Sequence, residues 1–249
     1  MSATMAKVAL ITGANRGLGF EIARQLGHAG VTTIIGSRDL AKGEQAADQL
    51  RSEGLEAETV ALDVTSESSV KAASEQIAAH HGRLDILVNN AGILPEATAD
   101  NAPGPLDLAM FRQTFEVNLF GAVAVIQALL SLMRRSDAGR IVNVSSTMGS
   151  LTDQGDPSSP YYELVVPAYQ TSKSALNGIT VALAKQLAGT PIKINSVCPG
   201  FVQTDLTPQN RSQAPLSAEE AARFVARMAL IAQDGPTGQF VDQQGTVAW

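Results

Sequence analysis

A doubly wound α/β fold, with a mostly parallel sheet covered by helices on both faces, is predicted from three observations. Short β-branched runs alternate with longer Ala-rich helical patterns along the 249 residues. A glycine-rich turn, "TGANRGLG" (Thr12–Gly19), joins the first apolar run to the first helical pattern. No repeat and no linker breaks the alternation, so a single domain over 1–249 is expected, its strands joined by right-handed crossovers.

Each element has its own signal. "KVALIT" (7–12), "VTTIIGS" (31–37) and "AETVALD" (57–63) read as strands, separated by helices over 17–30 and 40–54 that stop at Gly30 and Gly54. The third helix, "SESSVKAASEQIAAHHG", carries Glu67 and Glu75 towards its start and His80 and His81 in its last turn, a charge order that complements the helix dipole. The histidines are adjacent and do not share a helix face, so they read as a solvated helix end and no metal is expected. "LDILVNN" (84–90) is a strand, Leu106–Met133 is largely helical, "GRIVNVSS" (139–146) is a strand and Ala168–Leu187 a helix. "IKINSVCP" (192–199) is the next strand; Ser217 and Glu220 form a capping box for a helix over 217–231, and "GQFVD" is a last strand. The polar stretches 150–160 and 203–216 read as loops long enough to serve function.

Composition bounds the function. Apolar residues make up 45 % and aromatics 4 %, so Ala, Val, Leu and Ile must build the core. The net charge of −6 argues against nucleic acid as the main partner, because phosphate contacts need Lys and Arg. One cysteine, Cys198, excludes an intramolecular disulfide and suits a reducing cytoplasm, the expected location. The start of the chain has too short an apolar run for a signal peptide. The most apolar long segment, Leu119–Met133, is fifteen residues with Gln127 inside it, which points to a buried helix and not to a membrane span.

The glycine turn offers a phosphate seat. Its spacing, Gly13-x-x-x-Gly17-x-Gly19, differs from the common dinucleotide fingerprint, yet its glycines allow close approach and the helix start supplies free N–H groups. Folds of this Rossmann type that take NAD place an Asp or Glu at the end of the second strand. This chain has Ser37 and then Arg38, a hydroxyl and a cation that suit a 2′-phosphate, with Arg16 near enough to join them and Asp39 close by. NADP(H) is therefore the expected cofactor.

Tyr169 stands four residues before Lys173, so both share one helix face; Tyr161 and Tyr162 have only Val165 and Val166 at that spacing. A free Tyr has a pKa of about 10. A close ammonium favours the phenolate, and lowering the pKa by about 3 takes about 4 kcal/mol. Such a phenol can give a proton to a carbonyl oxygen or take it back. Ser145 and Ser146 end a strand at the carboxyl edge of the sheet, where open α/β folds bind ligands.

With these motifs in order ("TGANRGLG", "LDVT", "NNAG", "NLFG", "IVNVSS", "YQTSK" and "PGFVQT") the chain resembles a short-chain dehydrogenase/reductase over nearly its whole length. "SRD" after the second strand and the closing "GPTGQFVDQQGTVAW" look most like the carbonyl reductase branch. The resemblance implies Tyr169 as catalytic acid/base and Lys173 as the lysine that tunes it and holds the nicotinamide ribose. Ser146 would orient the substrate, with Ser145 as second choice, and Asn118 would support a proton relay through water. Gly13, Asn15, Arg16, Gly17, Leu18 and Gly19 of the glycine turn are expected in the cofactor site, and the resemblance places Asp63 and Val64 at the adenine. Asn90 falls near the adenosine ribose, with Ala91 and Gly92 also in the cofactor site, and Pro199, Gly200, Val202 and Thr204 at the nicotinamide carboxamide and pyrophosphate. Ile93 and Phe201 are expected in an open substrate pocket.

Ser146 and Tyr169 are 23 positions apart, more than in compact members, with the extra residues in 151–166. A similar insertion covers a pairing surface in monomeric carbonyl reductases; this one is shorter, which leaves monomer and homo-oligomer both open. Tyr161 and Tyr162 could reach the pocket or pack the insertion onto the body. The expected function is NADPH-dependent reduction of ketones or aldehydes, so the partner is a small carbonyl or alcohol. The alternatives are an alcohol dehydrogenase running oxidatively, a non-catalytic NADP(H)-binding regulator, or a methyltransferase on a similar first loop.

Overall fold

Every residue of β1 (Val8–Thr12) is buried, which marks a strand covered on both faces. The computed structural model describes residues 6–98 and 106–249. β1 pairs in parallel with β2 (Thr32–Ser37) on one side and β4 (Ile86–Asn89) on the other. β3 (Ala57–Ala61), β5 (Arg140–Val144), β6 (Lys193–Val197) and β7 (Phe240–Val241) complete a parallel seven-stranded sheet of order β3-β2-β1-β4-β5-β6-β7. The order reverses between β1 and β4, and this switch point opens a crevice at the carboxyl edge.

Two apolar layers sandwich the sheet. On one face lie α1 (Gly17–His28), α2 (Leu40–Ser52) and α9 (Ala218–Ala229), contributing Ile22, Leu26, Leu50 and Val225 to one cluster. On the other, Ile77 of α3 (Glu67–His81) and Val125, Leu129 and Leu132 of α5 (Ala122–Met133) pack with Leu10, Leu87 and Ile194. The short α4 (Leu108–Phe115) runs into α5 through a π-helical turn, Glu116–Gly121. The resulting helical segment, Leu108–Met133, matches the expected helical span of 106–133; with a stretch of mean hydropathy 1.8 it is long and apolar enough to cross a membrane, and its sheet-facing side belongs to the core just described.

Local caps account for further differences. The expected loop over 150–160 starts with a helical turn, α6 (Leu151–Gly155), because the Ser150 side chain accepts from Asp153 N at 3.1 Å. The expected loop over 203–216 contains α8 (Pro208–Gln213), with Thr207 accepting from Asn210 N and Pro208 at the first position. The Ser217–Glu220 capping box is present at the start of α9. His81 is not solvated: its Nε2 lies 3.0 Å from Glu58 Oε2, because the last turn of α3 passes the outer strand β3.

Candidate active site

A cavity of about 970 Å³ runs along the carboxyl edge of the sheet, from the end of β2 past the glycine turn to the end of β5. Its floor is the turn between β1 and α1. Gly13 and Gly17 have φ of 65° and 57°, which side chains rarely adopt. A Cβ on Gly19 would lie 2.5 Å from Asn90 Nδ2 and 2.8 Å from Gly13 O. Asn90 in turn donates to Thr12 O at 2.9 Å and Gly13 O at 3.3 Å, so it locks the turn in shape. No side chain caps α1, whereas Asp39, Ser66, Asp107, Thr207 and Ser217 cap α2, α3, α4, α8 and α9. The first N–H groups of α1 are therefore left to a ligand.

At the end of β2 the buried Ser37 donates to Asp39 O at 2.7 Å, and the exposed Arg38 lines the cavity beside Lys42. Asp39 also lines the cavity, but its carboxylate is engaged by the start of α2. It caps α2 through Lys42 N at 3.2 Å and lies 3.6 Å from Lys42 Nζ. Arg16 lines the same cavity, but its guanidinium sits 3.3 Å from Asp205 Oδ2 and so engages the segment after β6. Burial opposes the charge on Asp63, yet the hydroxyl and N–H of Thr65 and the charge of Arg38 together hold its carboxyl below the usual range. Asn15, Leu18, Val64, Ala91, Gly92, Pro199, Gly200, Val202 and Thr204 also line the cavity.

The other end of the cavity holds the ionisable pair. Tyr169 and Lys173 lie on α7 (Pro167–Gln186), 6 % and 5 % exposed, with Lys173 Nζ 5.6 Å from the phenol ring centre. Lys173 Nζ donates to Val144 O at 2.8 Å. Burial pulls the amine down to about 8, against an opposing effect of Cys198. Burial also pushes the Tyr169 phenol above its usual value, Cys198 adds to this, and a hydrogen bond with the Ser146 side chain opposes it. In the chain alone, then, burial is the largest influence on this phenol. Ser146, just beyond β5, also accepts from Met148 N at 3.2 Å. Ser145 lines the cavity with its buried hydroxyl unbonded to any described residue.

Two expected site residues do not line the cavity. Asn118, in the π-helical turn, is 1 % exposed and lies behind the wall: it accepts from Ile93 N at 2.8 Å and donates to Ile93 O and Ser172 Oγ. It thereby fixes Ile93, which does line the cavity. Phe201 does not line it and is 45 % exposed. The stretch pairs with Leu216 through Val202, so alternation turns Val202 in and Phe201 out. Tyr161 and Tyr162 also stay out of the cavity, and Tyr162 is exposed.

Sequence reasoning missed Lys42, Thr65, Cys198 and Glu96. Lys42 stood four residues from Arg38, a spacing that could have flagged it. Cys198 Sγ accepts from Thr147 N at 3.3 Å and lies buried near the pair, a placement with no sequence signal. Glu96 accepts from the backbone N–H groups of Ala168 and Tyr169 and likewise had none.

Residues 7–215 match the short chain dehydrogenase family. The chain belongs to the short-chain dehydrogenase/reductase family. Among its family relatives, (+)-neomenthol dehydrogenase of Arabidopsis thaliana is 32 % identical, with 96 % of each chain covered. That alignment runs over 291 positions, more than the 249 residues here, so the relative carries segments this chain lacks. Among solved structures, NADPH-bound carbonyl reductase from chicken fatty liver superposes with a TM-score of 0.82 at 25 % identity, covering 98 % of this chain and 99 % of that one. A gluconate 5-dehydrogenase from Burkholderia cenocepacia J2315, in complex with NADP and tartrate, gives 0.80 at 28 %, covering 95 % and 92 %. Members of this short-chain family are oxidoreductases, and the carbonyl reductase likeness extends over the whole fold.

Proposed function

We propose that this chain reduces ketone or aldehyde carbonyls with NADPH. The observation that carries the reading is one cavity with an uncapped glycine turn in its floor, an Arg38–Lys42 corner at one end and Tyr169, Lys173 and Ser146 at the other. A dinucleotide phosphate fits this floor, because the space a Cβ of Gly19 would claim is closed and the backbone itself faces the cavity. Gly13, Asn15, Arg16, Gly17, Leu18 and Gly19 would hold the pyrophosphate. Ser37, Arg38 and Lys42 would hold the 2′-phosphate, Asp63 and Val64 the adenine, and Pro199–Thr204 the nicotinamide end. Reduced nicotinamide, when bound, supplies a hydride for the carbonyl carbon.

The chain's own residues handle the proton. Burial keeps Tyr169 protonated at neutral pH, the form a proton donor to a carbonyl oxygen needs. The same phenol takes the proton back in the oxidative direction, and the ratio of reduced to oxidised cofactor sets which way the reaction runs. Ser146 hydrogen-bonds the phenol side chain and would hold the substrate oxygen as charge develops. Lys173, its amine poised near neutrality, would return a proton to the phenol. Asn118 anchors Ile93 and Ser172, one on the wall and one on α7, and acts on the relay through them.

The test is consumption of NADPH, followed by loss of its near-ultraviolet absorbance, against a panel of ketones and aldehydes. Turnover with at least one supports the reading; tight NADPH binding with no turnover against any opposes it. Arg38→Ala should weaken NADPH binding about ten- to hundredfold while NADH changes little, as for loss of a charge-assisted contact. Equal losses in titrations of both cofactors would remove Arg38 from the 2′-phosphate site.

A further inference from the structure

α7 carries the proposed chemistry but begins without a cap of its own. Val166 stands at the capping position with no side-chain acceptor, and Pro167 follows with no N–H to satisfy. The next two N–H groups both donate to one carboxylate: Ala168 N to Glu96 Oε1 at 2.9 Å, and Tyr169 N to Glu96 Oε2 at 2.8 Å. Glu96 lies in a one-turn 3-10 helix, Pro95–Ala97, after β4. Its neighbours Leu94, Pro95 and Thr98 line the same cavity as Tyr169 and Ile93. Gln170 completes the arrangement by accepting from Val166 N at 3.1 Å and donating to Leu164 O at 2.8 Å.

We infer that Glu96 is a positioning residue: one carboxylate, clamped on the backbone of Tyr169 itself, makes the cleft wall over 93–98 and the start of α7 a single unit. The role rests on the carbonyl reduction proposed above. Two charge-assisted hydrogen bonds replace the local cap that α7 lacks, and a negative group at this end complements the helix dipole. A carbonyl held against the wall then meets the phenol at a fixed distance. Without the clamp, wall and phenol shift independently, and a misplacement of about 1 Å costs on the order of a hundredfold in rate. The glycine turn and the Arg38 corner do not depend on this contact, so cofactor affinity should not follow it.

The experiment compares the full chain with Glu96→Gln, Glu96→Asp and Glu96→Ala. Gln keeps the shape but turns an NH₂ donor towards one of the two N–H donors, so a space-filling role would survive it and a clamp would not. The expected result is a fall in kcat of about ten- to hundredfold for Gln and Ala, with unchanged NADPH affinity, partial recovery in Asp, and faster amide hydrogen exchange at Ala168 and Tyr169. Wild-type kcat in Glu96→Gln, or unaltered exchange at those two amides, would overturn the inference. So would losses of kcat, NADPH affinity and melting temperature in parallel, which would reduce Glu96 to general stability. A wild-type chain that reduces no carbonyl is a different result: it removes the proposed function, and this catalytic role with it.

Discussion

Lys173 sets the problem at the residue scale. An amine this deeply buried is costly to keep charged, and its pKa falls from 10.5 to about 8. Below about pH 8 that cost is present in full, on the order of 3 kcal/mol. Between about 8 and 10.5 the unfolded chain holds a proton that the folded one has released, so stability should rise with pH across that window. Tyr169 acts in the opposite sense only above pH 10, where the native phenol keeps a proton the unfolded one loses. Denaturant unfolding at several pH values should therefore show a rise above pH 8 that disappears in Lys173→Met; an equal rise in both proteins would assign it to other groups. Tyr169, Lys173 and Ser146 were legible because i,i+4 spacing and a strand end place side chains with little help from the rest of the chain. The sign of the phenol's shift was not legible, since it depends on burial in the folded wall and on the electrostatic effect of Cys198.

At the scale of elements, the caps show what a sequence displays and what it hides. Ser217 with Glu220, and Thr207 followed by Pro208, are local patterns readable from adjacent residues. The first stands out in the sequence; the second is masked by the polar stretch around it, which suggests a loop. Glu96 caps α7 from 73 positions before Tyr169, and only the folded topology brings them together. The turn into α1 behaves differently again, because its shape depends on space. Gly19→Ala would drive a Cβ against Gly13 O and Ala14 Cα, backbone atoms that cannot swing aside. It should destabilise the fold by about 1–3 kcal/mol and weaken NADPH binding. Thermal melts with and without cofactor check this; wild-type affinity in the variant would mean the turn tolerates the methyl group.

The whole molecule divides its labour between the two edges of the sheet. The carboxyl edge carries the cavity, and the amino edge carries buried charge used for cohesion. There Asp85 accepts from Val8 N at 2.8 Å, from Ser136 Oγ at 2.6 Å and from Arg83 Nε. Arg140, buried nearby, donates to the carbonyls of Ile231, Gly139 and Pro191. Asp85→Ala should cost about 3 kcal/mol and lower the melting temperature by roughly 10 °C, with kcat at room temperature unchanged. A loss of kcat without a loss of stability would contradict this division. A parallel sheet with its ligand edge at the strands' carboxyl ends followed from the alternation of apolar runs, whereas the strand order, Phe201 and the fate of Arg16 depended on how the chain folds back on itself. The central claim concerns the phenol facing the cavity. Its most direct measurement is single-turnover oxidation of bound NADPH by a carbonyl substrate in wild type and Tyr169→Phe. The account predicts a rate lower by about 10²–10⁴-fold in the variant at unchanged NADPH affinity; a variant that turns over at the wild-type rate would contradict it.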